Sequence, residues 1–140
     1  MPLPEPQNGL VISYAYLWRH EQEAGQVEGS KVRPCAIVLV TAAGATGGQT
    51  VLVVPVTHSL PADTAQAVEL PPRVKQHLRL DDAPSWVVCS EVNMFLWPGY
   101  DLRPVPGTPD VYAYGLLPPR LYRQIVDKVL SLRACRLKRD

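Results

Sequence analysis

The chain has 140 residues, 46% of them hydrophobic and 19% charged, with a formal net charge of +1. That balance describes one folded domain and excludes a disordered or strongly polyionic chain. No apolar run approaches the roughly 18 residues of a membrane span, and the opening "MPLPEPQNG" has no basic residue, unlike a signal peptide. A cytoplasmic protein without membrane contact is therefore the expectation. Cys35, Cys89 and Cys135 lie far apart with no C-x-x-C pair, which argues against disulfides and zinc. Cys35 and Cys89 read as small core hydrophobes, and three scattered histidines complete the expectation of no metal and no cofactor.

After an N-terminal extension at 1–8, "GLVISYAYLW" is rich in β-branched and aromatic residues and reads as a strand. The polar "RHEQEAGQVEGSK" that follows reads as a long mobile loop, a length often kept for function. "CAIVLV" is the next strand, "TAAGATGGQ" a turn, and "TVLVVPV" its hairpin partner, with Pro55 at the strand's end or on an edge. Val68 to Leu70 is a short strand candidate. Pro71 and Pro72 suit the start of a helical turn carrying Val74, Leu78 and Leu80.

"SWVVCSEVNMFLW" is the longest strand candidate, bent or bulged near Glu91. "GYDLRPV" follows as an outer strand and "VYAYGLL" as a last one. Pro118 and Pro119 then open a helix whose Leu121, Ile125, Val129 and Leu132 fall on one face, ahead of a basic tail at 133–140. From Pro118 onward seven basic residues meet two acidic ones, which suits either a nucleic-acid footprint or a solvated helix face. The expected architecture is mainly β with α: five to seven short antiparallel strands and an amphipathic C-terminal helix lying across them, in one domain spanning 1–140.

The motifs of nucleotide cradles, serine hydrolases and zinc peptidases are missing. Within "VEGSKVRPCAIVLV", Arg33 stands at the mouth of an apolar strand, held extended by Pro34. Two readings stay open for it: a structural salt bridge to Glu28 or Glu91, or a guanidinium aimed at a phosphate. "PVTHSLP" sets Thr57, His58 and Ser59 in a row where the partner strand ends, as turn chemistry or as ligand groups. The hairpin carries that end toward Arg33, so a hydroxyl, an imidazole and a guanidinium converge. Glu91 interrupts an apolar run, and a carboxylate there is paired or functional. Trp86 and Trp97 read as core or as stacking platforms, and Trp18 and His20 begin the long loop, within reach of a site.

In order and spacing, "GSKVRP" before an apolar strand, "VLVVPVTHS", "SWVVCSEVN" and "YGLLPPRLYRQIVDKVLSL" resemble the MazF/PemK toxin family over Gly9 to Leu132. The resemblance implies a compact SH3-like barrel of the CcdB/PemK type, generally a homodimer. It also implies metal-independent cleavage of single-stranded RNA by the RNA's own 2′-hydroxyl, and inhibition by a cognate antitoxin. Arg33 matches the family's charge-stabilising arginine and Thr57 its phosphate-holding threonine, with Glu91 or His58 as base. Lys31, Ser59, Asn93, Arg103 and His20 are the expected substrate contacts.

The chain departs from the family in carrying Asn93 where several members have arginine, and His58 where serine or threonine is common. His58, His20 or Arg103 is then left to move the proton. The alternative is a non-catalytic module on the same barrel, a gyrase poison or a binder of RNA or antitoxin.

Overall fold

In the computed structural model, which describes residues 3–29, 31–42 and 47–139, the first apolar runs become β1 (Leu10–Tyr16), β2 (Lys31–Val40) and β3 (Thr50–Thr57). β2 lies between the other two, antiparallel to both. Successive side chains of a strand point to opposite faces, and here each face has its own core. Ile12, Tyr14, Cys35, Ile37 and Val53 join Phe95 on one side. Val11, Ala36, Val38, Leu52 and Val54 join the helices on the other. A sheet covered on both faces needs unbroken apolar strands rather than alternating ones, and all seven residues of β1 are buried.

The remaining strands are β4 (Ala67–Glu69), β5 (Trp86–Val88), β6 (Glu91–Leu96), β7 (Ala113–Leu116) and β8 (Cys135–Lys138); the helices are α1 (Arg19–Glu23), α2 (Pro72–His77) and α3 (Pro119–Ser131). The main path across the sheet runs β4-β5-β3-β2-β1-β7, and it is open rather than closed. β3 has two partners along one edge: β6 opposite Thr50–Val53 and β5 opposite Val56 and Thr57. Pro55 falls between them. Its missing N–H is thus demanded by neither neighbour, which lets a proline sit inside the sheet rather than at an outer edge. The bend expected near Glu91 is the same break seen from the other strand, with Cys89 and Ser90 between β5 and β6.

α3 opens on two prolines that suit a first helical turn and buries Leu121 and Ile125 against the sheet, while the Tyr122 hydroxyl donates to the Val38 carbonyl at 2.7 Å. On the opposite face Tyr14 stacks on Phe95 with centroids 4.7 Å apart, a geometry worth about 0.5–1.5 kcal/mol beyond burial. Cys35 and Cys89 are fully buried free thiols, and burial pushes the Cys89 thiol up to about 12.

Four expectations need correction. The strand count among the described residues is eight, above the expected five to seven. "GYDLRPV" is no full strand: proline at 104 and 106 limits it to bridges from Leu102 to Tyr14 and from Val105 to Thr108. The long loop after β1 begins as α1, because the buried Glu21 carboxylate caps the Trp18 N–H at 3.0 Å. Finally, the basic tail is ordered as β8, parallel to β6, and its Leu137 is buried. Ser30 of the expected loop and residues 43–46 of the expected turn lie outside the described residues. No helix among the described residues is long and apolar enough to cross a membrane.

Candidate functional site

Pairing of Cys35 with Pro55 places the start of β2 beside the end of β3. Five of the nine expected residues meet there: Lys31, Arg33, Thr57, His58 and Ser59 line one open cleft of about 480 Å³. The opposite wall comes from the segment after α2 (Arg79, Asp81) and from Val105, Pro106 and Tyr114.

Arg33 settles over the Trp18 ring, 5.1 Å from its centroid. Its Nη1 makes one long 3.5 Å contact to the Val56 carbonyl, and its Nε is buried without a partner. No carboxylate among the described residues bridges it. The salt-bridge reading therefore falls: neither Glu28 nor Glu91 reaches it. A half-buried guanidinium with idle donors is costly unless something else accepts from them.

Beside it, the Thr57 oxygen accepts from the Ser59 N–H at 3.1 Å. That closes a local turn and leaves the Thr57 hydroxyl proton free to donate. His58 is half-exposed and directs Nε2 at both oxygens of Asp81, at 3.0 and 2.9 Å. Asp81 also accepts from the buried Lys75 ammonium at 2.9 Å and from the Ala83 N–H at 3.1 Å. Hydrogen bonds from Lys75 and then His58 hold the Asp81 carboxyl down at about 2. With Asp81 matched by Lys75, the cations Lys31, Arg33 and Arg79 give the cleft an excess of positive charge, which suits a phosphate. Arg79 sits just past the end of α2 with φ 57, a position glycine fills without strain.

The other four expected residues are placed elsewhere. Glu91 accepts from the Tyr16 hydroxyl at 3.1 Å and from the Arg19 N–H at 2.9 Å, pinning the start of α1. Burial raises its pKa, with those two bonds offsetting part of the rise. Asn93 is fully buried: its Oδ1 accepts from the Leu17 N–H (2.9 Å) and from Arg139 (2.7 Å), and its Nδ2 donates to the Leu17 carbonyl (2.8 Å). This corrects Asn93 from substrate contact to frame. Arg103 donates to the carbonyls of Tyr100 and Leu102 in its own turn. His20 is exposed on α1 and stacks on Trp18 at 6.2 Å, so its one link to the cleft is through the ring beneath Arg33. None of the four lines the cleft.

Sequence reading missed Arg79, Asp81 and Tyr114. The acidic pair in "RLDDAP" was the available signal for Asp81, since a carboxylate shortly after a helix carrying Lys75 is placed to fold back on it. Among the described residues no group of His, Cys, Asp and Glu gathers as a metal ligand set. Comparisons of the chain with family models, curated proteins and solved structures gave no match in any of the three.

Proposed function

We propose that this protein is a metal-independent endoribonuclease, the toxin of a toxin–antitoxin pair, built on a divergent form of the MazF/PemK-type SH3-like barrel. The observation that carries the reading is Arg33: a half-buried guanidinium without a carboxylate, facing a cleft it shares with the Thr57 hydroxyl and His58. In this reading the cleft takes the scissile phosphate of a single-stranded RNA in the cytoplasm. Arg33 offers its fork to the non-bridging oxygens, where charge grows as the 2′-hydroxyl attacks, and Thr57 donates to one of them. His58 replaces Glu91 as base, because Glu91 is spent on Tyr16 and Arg19 outside the cleft. A cognate antitoxin would cover the same cleft, and the working unit would be a homodimer. The gyrase-poison alternative depends on free C-terminal residues, whereas Leu137 is buried here and the Arg139 side chain is fully engaged.

The test is purified protein incubated with a long single-stranded RNA in EDTA, with Arg33→Ala alongside. Discrete fragments ending in 2′,3′-cyclic phosphate, absent with the variant, are expected. RNA left whole by the wild type would sink the reading and leave the binding module.

A further inference from the structure

Asp81 lies on the segment between α2 and β5, remote in sequence from the hairpin that carries His58. Three hydrogen bonds converge on its Oδ1, from Lys75 Nζ, the Ala83 N–H and His58 Nε2, and the same Nε2 lies 2.9 Å from Oδ2. Lys75 is anchored in turn, being buried and donating also to the Ala83 carbonyl. The carboxylate is thus fixed from below by groups that have no access to the cleft, and presents its remaining capacity to one exposed imidazole. An ionised carboxylate only accepts, so the nitrogen facing it must carry the proton. The proton on Nε2 leaves Nδ1 as the nitrogen turned away from Asp81. Among the described residues no bond is made to Nδ1, and His58 lines the cleft with Thr57 and Arg33, so in the neutral ring Nδ1 keeps the lone pair a base needs.

From this arrangement we infer that Asp81, locked by Lys75, is a positioning residue that holds His58 in the tautomer with Nδ1 open to substrate. The inference rests on the ribonuclease reading and adds a member to its machinery. In the step it serves, the bond from the 2′-oxygen to phosphorus forms as the bond from phosphorus to the 5′-oxygen breaks. His58 Nδ1 takes the 2′-hydroxyl proton, the 5′-oxygen takes a proton from water, and the hydroxide so formed recovers the proton from His58. The other charged or titratable residues that line the cleft with His58 are Lys31, Arg33, Arg79 and Tyr114. None of them is a carboxylate, so none can replace Asp81 as the acceptor for Nε2.

The experiment is a double-mutant cycle on RNA cleavage with Asp81→Asn, His58→Ala and both together, joined to nitrogen NMR of the His58 ring. Asp81→Asn strands the Lys75 charge, so Lys75→Met/Asp81→Asn is run beside it to keep a folded protein without that lysine. Loss of about tenfold to a hundredfold in kcat with KM nearly unchanged is expected for the Asp81 variants. In the His58→Ala background the same change should cost nothing further, because a residue that acts through His58 has nothing left to act on. The wild-type ring should show the Nε2–H tautomer, and the Asp81 variants a mixture. Equal losses in both backgrounds, or a mixed tautomer in the wild type, would overturn the inference. A wild type that cleaves no RNA but shows the fixed tautomer would remove the ribonuclease reading and keep the orienting role of Asp81.

Discussion

Two arginines rest on aromatic rings at different places in this molecule, and their surroundings are opposite. Arg139 lies over Tyr14 at 5.6 Å, and Arg33 over Trp18 at 5.1 Å. The Arg139 side chain is 2% exposed and has every kind of partner: Asp101 at 3.0 Å, Asn93 at 2.7 Å and the Ala15 carbonyl at 3.0 Å. Among the described residues Arg33 has one long contact to a carbonyl and a buried Nε with none. A cation that serves the fold is surrounded by acceptors from its own chain; one left short of them can still take an acceptor from outside, which is the role proposed above for Arg33. The contrast separates frame from site more sharply than burial alone does.

The largest effect should come from the satisfied arginine. Arg139→Ala leaves the Asp101 carboxylate and the Asn93 amide oxygen without their shared cation, and removing one partner of a buried pair costs about 3–5 kcal/mol. Thermal unfolding should fall on the order of 10 °C, measured by circular dichroism. Next comes Arg33→Ala, which on the proposed reading should lower RNA cleavage about 10²–10³-fold while its unfolding free energy stays within about 0.5 kcal/mol of the wild type. A melting loss in Arg33→Ala as deep as in Arg139→Ala would erase the distinction between the two. Third, Asn93→Ala should cost about 1–3 kcal/mol, because the Leu17 N–H and carbonyl lose their buried partner. Urea unfolding measures it, and a stability unchanged from the wild type would mean that Asn93 does not serve the frame.

Legibility in the sequence followed the range of the interactions. The β2–β3 hairpin and α3 could be read because periodicity and proline positions are local signals, and convergence of Arg33 with Thr57 and His58 follows from hairpin geometry. Asp81 and Arg79 could not be found that way, since the turn after α2 brings them across only once the sheet has formed. Asn93 misled for a related reason. A polar residue in an apolar run announces that it has a partner, but the partners here are the Leu17 backbone and an arginine at the far end of the chain. Glu91 carried the same ambiguity, which only the Tyr16 and Arg19 contacts resolve. The basic composition of the tail likewise gave no hint that one of its charges is buried.

The smallest effects concern two carboxyls whose shifts have opposite signs, and they set the cleft against the frame once more. Burial lifts Glu91 above its ordinary value of 4.5, so the folded state holds its proton more tightly than the unfolded one. Stability from this group is fully present below the ordinary value and is lost as pH rises through the raised one. Asp81 is held at about 2 against an ordinary 3.8 by Lys75 and His58, so its contribution is present above about pH 4 and fades as pH falls toward about 2. Half-exposed as it is, Asp81 should give the weaker signal, its charge being screened by solvent. Urea midpoints of wild type, Glu91→Gln and Lys75→Met/Asp81→Asn from about pH 3 to about pH 8 separate the two. Glu91→Gln should gain on the wild type as pH rises, and the Asp81 variant should gain on it as pH falls. Parallel profiles for all three proteins would mean that neither carboxyl is shifted on folding, and that the bonds drawn to each of them here are too weak to hold a charge state.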